Sequence, residues 1–128
     1  MANCKAVCRG ARPFLAVVEE AITLMAAQED LRPWNTVSMS NADRTRFLVV
    51  GAAPRDRFGC FVADESGQEW TLVDPASSDE STVQIFFGQD SGRPGRTCVR
   101  LADVVVAAKE FCSTGRRAER LVWVNLFG

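Results

Sequence analysis

Apolar positions in the last third of the chain predict a helix between two strands. From Leu101 to Cys112 they recur at the three- and four-residue spacing of an amphipathic helix. Gly115 follows at the position expected for a left-handed C-terminal cap. The pattern predicts a short strand before this helix, over Thr97 to Val99, and a final strand over Leu121 to Val124. Gly92 to Gly95 contains proline and two glycines, and we interpret it as a turn.

A second amphipathic stretch near the N-terminus predicts another helix, from Pro13 to about Gln28. Proline suits the first helical position, where its missing N–H costs nothing. One apolar stripe follows at helical spacing: Phe14, Val17, Val18, Ala21, Ile22 and Met25. A helix of this kind is marginal alone in water, so its stripe must dock on the rest of the protein.

Between the two predicted helices, apolar alternation favours strands. Four are predicted, and Thr36 to Ser40 forms a further candidate; the four are Arg46 to Ala52, Arg57 to Ala63, Glu69 to Asp74 and Thr82 to Phe87. The polar segment Asp64 to Gln68 contains glycine and is typical of a hairpin loop. Both faces of Phe58 to Ala63 are apolar, which places that strand centrally with both sides covered.

These elements predict an α+β fold. We expect a mainly antiparallel sheet of five to six strands, with an N-terminal and a C-terminal helix packed on it. The length of 128 residues suits one domain spanning 1–128.

The residue types exclude several kinds of chemistry. The chain has no histidine, the usual general base near neutral pH and a common zinc ligand. It lacks the H-x-E and P-C-x-x-C signature of zinc deaminases and both common phosphate-binding glycine motifs. The five cysteines are odd in number and form no CxxC pair. We therefore expect no catalytic residue, metal or cofactor.

The N-terminal segment does not resemble a signal peptide. Its apolar run from Phe14 to Val18 is interrupted at once by Glu19 and Glu20. Every apolar run is also too short to span a bilayer. We expect a cytoplasmic protein that does not bind membranes, with its cysteines reduced.

Charge is segregated although the net charge is only −1. The segment from Phe58 to Gly92 contains no basic residue and seven acids. A block of one sign attracts a partner of the opposite sign. Trp70 lies within it, and exposed tryptophans often anchor interfaces. The candidate partner-binding residues are therefore Asp64, Glu65, Glu69, Trp70, Asp74, Asp79, Glu80 and Asp90.

Two other interpretations of the charges stay open. The acids could form solvated loops that only aid solubility. The arginine-rich C-terminal part, from Arg93 to Arg120, could contact nucleic acid, although it lacks interleaved aromatic residues. The acids themselves argue against direct nucleic-acid binding, because phosphate would be repelled.

The C-terminal third resembles the immunity protein type 1 family of bacterial polymorphic toxin systems. The matching residues are Pro94, Gly95, Leu101, Ala107, Ala108, Glu110, Phe111, Thr114, Gly115, Arg117 and Trp123. The chain departs from the family in having Ala118 where a proline usually stands. The resemblance implies a small α+β protein made beside a toxin, often a nucleic-acid deaminase, and binding it.

Taken together, the sequence favours a non-enzymatic immunity protein. Its partner would be a toxin domain with a basic surface, such as a zinc-dependent nucleic-acid deaminase, which it would block at the active site or substrate-binding surface. The alternative is a small α+β ligand-binding domain or enzyme with a carboxylate-lined pocket.

Overall fold

A computed structural model describes the backbone of residues 3–7, 36–87 and 90–126, with side chains for 36–87 and 91–126. The helix predicted over 13–28 lies outside these residues. The described part contains a short 3-10 turn, Gly95–Thr97, eight strands and one α-helix: β1 Asn3–Val7, β2 Thr36–Ser40, β3 Phe47–Ala53, β4 Arg57–Ala63, β5 Glu69–Val73, β6 Thr82–Phe86, β7 Asp90–Pro94, α1 Leu101–Thr114 and β8 Val122–Val124.

The strands form one curled sheet in the order β1-β2-β3-β4-β5-β8. β1 and β2 are parallel, and the other pairings are antiparallel. β6 leaves this path by pairing with β3 at Phe86 and Ala52, and it forms a hairpin with β7. The sheet therefore branches at the end of β3.

Helix α1 covers one face of the sheet. Alternate residues of the strands point toward it, as the two-residue period of a strand requires. Gly115, with φ of 72°, ends α1 in the left-handed conformation and donates its N–H to the Phe111 carbonyl. The buried cluster between sheet and helix includes Leu48, Val50, Phe58, Cys60, Val62, Leu72, Val104, Ala107, Ala108 and Phe111.

The β6–β7 hairpin covers part of the opposite face. Two glycines allow this close approach. A Cβ at Gly51 would lie 2.0 Å from the Phe86 carbonyl oxygen, and one at Gly59 would lie 2.5 Å from Phe87 Cζ. β4 is thus covered on both faces, which explains why its residues are apolar on both sides.

The predicted fold class is wrong in its balance of strands and helices. The described residues are mostly sheet with a single helix, so the picture of a five- to six-stranded sheet flanked by two helices does not hold. Strands β1 and β7 add to those predicted. β7 includes Gly92 to Pro94, most of the segment interpreted as a turn. It tolerates Gly92 and Pro94 because, among the described strands, it pairs only with β6.

A second correction concerns the segment before α1. Thr97 to Val99 is not a strand: Gly95–Thr97 forms the 3-10 turn, and Val99 makes one isolated bridge to Phe58. Within the described residues, no helix has the length and apolar content needed to cross a membrane.

Candidate functional site

Strand β5 divides the acidic segment into two groups. Asp64 and Glu65 lie in the turn that precedes β5, whereas Asp74, Asp79 and Glu80 follow its last residue. A five-residue strand separates its ends by roughly 13–17 Å. The acids that are continuous in sequence therefore occupy two ends of the sheet.

The same tripeptide, Asp-Glu-Ser, forms a turn at each end. Asp64 Oδ1 accepts hydrogen bonds from the backbone N–H and the hydroxyl of Ser66, and Asp79 Oδ1 accepts the same two bonds from Ser81. These bonds favour the charged form, the hydroxyl bond most, and they lower the pKa of each aspartate. Both turns thus carry an ionised carboxylate in a fixed position.

The glutamate in each turn faces solvent. Glu65 is exposed. The Glu80 side chain is 66% exposed although its Oε1 lies 2.7 Å from Arg96 Nε. The arginine end of this pair is mostly buried, whereas the Glu80 carboxylate stays largely open to solvent.

Backbone hydrogen bonds hold the second turn against the 3-10 segment. The Asp74 N–H donates to the Arg96 carbonyl at 2.9 Å, and the Arg96 N–H donates to the Asp79 carbonyl at 2.8 Å. The Gly95 N–H donates to the Ser81 carbonyl at 2.9 Å. Asp79 also packs against Gly95, where a Cβ would lie 2.2 Å from its Oδ2. These bonds therefore attach the acidic loop to the 3-10 segment at several points.

Glu69 is directed inward and binds a buried arginine. Its Oε1 accepts a hydrogen bond from Arg93 Nη2 at 2.8 Å, and Arg93 Nη1 donates to Thr71 Oγ1 at 3.1 Å. Arg93 is only 6% exposed and lies over the rings of Phe87 and Phe61, at 4.9 and 5.6 Å from their centroids. The charge of Glu69 is compensated inside the protein.

Trp70 lies on the opposite face of β5, in an open cleft at the C-terminal end of α1. The guanidinium carbon of Arg117 is 4.1 Å from the centroid of the Trp70 ring. We call this site the Trp70 cleft; its volume is about 570 Å³ and its lining includes Arg46, Asp64, Trp70, Arg116, Arg117, Glu119 and Trp123. Asp64 and Trp70 are thus brought together, as two of the predicted residues.

Two hydrogen bonds fix the rim of the Trp70 cleft. Trp123 Nε1 donates to the Ala118 carbonyl at 3.0 Å, and Arg46 Nη1 donates to the Gly115 carbonyl at 3.3 Å. The second bond places a cation at the negative end of the α1 dipole. Gly115, Arg117 and Trp123, which carry the family resemblance, meet here.

A second open cleft lies beside the other acidic turn. Its volume is about 820 Å³, and its lining includes Arg55, Arg57, Asp74, Asp79 and Cys98. Arg55 also contributes to lowering the pKa of Asp79. Two acids and two arginines on one lining make the charge of this cleft mixed. Asp90, the last predicted residue, begins β7, and its side chain lies outside the description.

The cysteines show no activated thiol in the part of the chain with described side chains. Cys60 and Cys112 are buried, and Cys98 is partly buried. Burial raises the pKa of Cys60 and of Cys98, the latter with a smaller contribution from Asp79, so both thiols are neutral at pH 7. No cluster of three or more potential metal ligands occurs among the described residues.

Two arrangements escaped the sequence analysis. One is the Arg117–Trp70 contact, and the other is the buried pair of Arg93 and Glu69. Each joins residues from distant segments, and no local pattern indicates either. The C-terminal arginines lack interleaved aromatic residues in the sequence, but Trp70 from another strand supplies an aromatic contact to Arg117.

Comparison with known proteins assigns the family. The sequence model described as Immunity protein Imm1 matches residues 14–125, most of the chain. No curated protein matches this chain. The resemblance seen in the C-terminal third therefore extends over nearly the whole sequence. The chain belongs to the Imm1 family of immunity proteins, whose function is protection against a toxin.

Proposed function

We propose that this immunity protein neutralises a toxin that acts on nucleic acid, by binding over its basic substrate-binding surface. The two Asp-Glu-Ser turns make the contact, with Asp64 and Glu65 in one and Asp79 and Glu80 in the other. A toxin that binds nucleic acid needs lysine and arginine side chains to meet phosphate. Carboxylates held at fixed positions can bind the same lysine and arginine side chains of the toxin in place of phosphate.

The observation that carries this proposal is the shared geometry of the two turns. In each, serine holds the aspartate oxygen and lowers the aspartate pKa, and the neighbouring glutamate is exposed. Groups fixed in this way lose little conformational freedom on binding. The surrounding segment, Phe58 to Gly92, holds no basic residue, which favours steering toward a positive surface.

Contacts inside the protein distinguish the other predicted residues from the turn acids. The charge of Glu69 is compensated by Arg93, so Glu69 contributes to the local electrostatic field but does not contact the toxin directly. Asp74 binds the Ala76 N–H at 2.9 Å and shapes the second turn. We therefore assign the contact to the turn acids and to the Trp70 cleft beside Asp64.

The family resemblance supports a proposal for the kind of toxin. We propose that the toxin is a nucleic-acid deaminase of the zinc-dependent class. The immunity protein binds it in the cytoplasm, where the toxin would otherwise reach nucleic acid. The immunity protein acts by stoichiometric binding without turnover. It does not bind nucleic acid through the acidic turns, because their charge repels phosphate.

The alternative of a carboxylate-lined catalytic pocket has less support. The cleft beside Asp79 contains carboxylates, but a general acid at neutral pH needs a raised pKa. The pKa of Asp79 is lowered instead, chiefly by the Ser81 hydroxyl. Arg55 on the same lining adds a smaller contribution in the same direction.

The experiment that tests the proposal is a titration of toxin activity. The toxin domain encoded beside this chain is assayed for deamination of single- and double-stranded DNA and RNA while the immunity protein is added. We expect activity to fall in proportion to added protein and to vanish at one equivalent. Raising the substrate concentration should slow the onset of inhibition if the substrate surface is covered. Full activity in excess immunity protein would contradict the proposal.

A further inference from the structure

The Trp70 cleft has a charge opposite to that of the acidic turns. Its lining carries three arginines, Arg46, Arg116 and Arg117, against the two acids Asp64 and Glu119. Of the arginines, Arg46 already binds the Gly115 carbonyl. The open volume of about 570 Å³ is large enough for one or two side chains of a partner.

Arg117 is held in position but has an unused hydrogen-bonding edge. Its guanidinium lies over the Trp70 ring, a contact that uses the face of the guanidinium group. The five N–H donors of arginine lie in the plane of that group and stay free when the face is stacked. Within residues 36–87 and 91–126, Arg117 forms no ion pair and donates no side-chain hydrogen bond.

The segment that carries Arg117 is fixed at both ends. The left-handed Gly115 sets the direction in which the chain leaves α1. The Ala118 carbonyl then accepts two hydrogen bonds, from the Leu121 N–H at 3.1 Å and from Trp123 Nε1 at 3.0 Å. Arg117 lies between these two anchors, so its position is set before a partner arrives.

We propose that Arg117 binds a carboxylate side chain of the toxin, an aspartate or glutamate that enters the Trp70 cleft. This inference rests on the proposed function and adds a contact of opposite sign to it. A planar guanidinium with a free edge matches a carboxylate through two parallel hydrogen bonds. The toxin would thus be recognised by its basic surface at the turns and by one acidic residue at the cleft.

Nucleic acid fits this cleft less well than a single carboxylate does. Asp64 and Glu119 line the same cleft, and Asp64 is ionised because its pKa is lowered. A polyanion would place several phosphates near these acids and the acidic turn, whereas one carboxylate brings a single negative charge into a lining of three arginines and two acids. A second charged contact of opposite sign also fixes the orientation of the complex.

The test measures the kinetics of toxin binding for three variants. Arg117→Gln removes the charge, Arg117→Lys keeps the charge without the planar donor edge, and Arg120→Gln removes an exposed arginine outside the cleft. We expect Arg117→Gln to speed dissociation roughly tenfold or more, with association nearly unchanged. Arg117→Lys should lie between it and the wild type, and Arg120→Gln should match the wild type. A melting curve for each variant checks folding.

The partner carboxylate is then located on the toxin. Each aspartate and glutamate of the toxin is changed to its amide, and the dissociation rate of each toxin variant is measured with the wild-type immunity protein and with Arg117→Gln. For one toxin residue, the effect of its change and the effect of Arg117→Gln should be non-additive. If Arg117→Gln dissociates as slowly as Arg120→Gln, the cleft proposal is wrong although the toxin still binds. If the toxin binds no variant, the wild type included, both proposals fail. If Arg117→Gln instead weakens binding of a DNA or RNA oligonucleotide in the absence of toxin, the cleft belongs to nucleic acid, and the carboxylate proposal is overturned.

Discussion

Glu69 and Trp70 are neighbours in β5, yet their side chains project from opposite faces of the sheet. Glu69 Oε1 is 2.8 Å from Arg93 Nη2 on the face that the β6–β7 hairpin covers. Trp70 lies 4.1 Å from the Arg117 guanidinium on the other face, beyond the end of α1. One surface patch cannot contain both, because side chains alternate along a strand. The acidic segment therefore does not form a continuous strip on one face of the sheet.

The close approach of the β6–β7 hairpin predicts a difference between two glycines. Gly51→Ala places a methyl group 2.0 Å from a backbone oxygen, whereas at Gly92 the nearest atom is Thr82 Cγ2 at 3.1 Å. We expect Gly51→Ala to lower the free energy of unfolding by about 1–3 kcal/mol or more, and Gly92→Ala to change it little. Urea unfolding measures both. Equal effects would show that the hairpin does not pack as described.

The buried pair predicts unequal effects of changing its two members. Arg93→Met removes the partner of Glu69 and the bond to Thr71, and we expect a loss of roughly 3 kcal/mol in the free energy of unfolding. Glu69→Gln keeps a hydrogen-bond acceptor for Arg93, so it should cost about 1 kcal/mol. Thermal or urea unfolding at pH 7 gives both values. A larger loss for Glu69→Gln than for Arg93→Met would contradict this account of the pair.

The serines of the two turns predict a pH-dependent effect. Asp64 and Asp79 have pKa values below those of the unfolded chain, so they stabilise the fold above the unfolded pKa, and this contribution is lost as the pH falls through the folded pKa. Ser66→Ala should raise the pKa of Asp64, and Ser81→Ala should raise the pKa of Asp79. The ¹³C resonances of the two carboxyl groups, recorded as a function of pH, measure both pKa values. Ser78→Ala, an exposed serine of the same loop, is the control. Unchanged aspartate titrations would mean that the serines do not hold the carboxylates.

The sequence predicted the local elements better than their arrangement. The predicted bounds of β4 agree with the observed strand because its apolar run stops at charged or polar residues on both sides. The left-handed cap at Gly115 agrees because it depends only on the chain near the end of α1. β7 escaped prediction because glycine and proline are poor strand formers, and only pairing with β6 makes the segment extended.

The sequence shows the acids of the candidate site but not their geometry. The acids were visible in the sequence, whereas the inward direction of Glu69 depends on Arg93, two strands further along the chain. The position of Trp70 depends in the same way on the segment after α1. Contacts of this kind arise from tertiary packing, and no local period in the sequence encodes them.

Binding without turnover predicts that the purified protein has no catalytic activity. Assays on nucleosides, nucleotides, DNA and RNA should show no deamination or hydrolysis above a buffer control. Activity that survives purification and disappears in Asp79→Asn, but not in Glu110→Gln, would contradict an inhibitory role. The second variant changes an exposed acid on α1, far along the chain from the acidic segment.

The association rate of the toxin at two salt concentrations tests the central claim most directly. The variants reverse charge in one turn, Asp64→Lys with Glu65→Lys, or in the other, Asp79→Lys with Glu80→Lys; Glu110→Lys on α1 is the control. We predict that each turn variant slows association roughly tenfold at low salt and weakens its salt dependence, while melting curves show that the fold persists. Glu110→Lys should behave like the wild type. If both turn variants associate as fast as Glu110→Lys, the acidic turns do not contact the toxin.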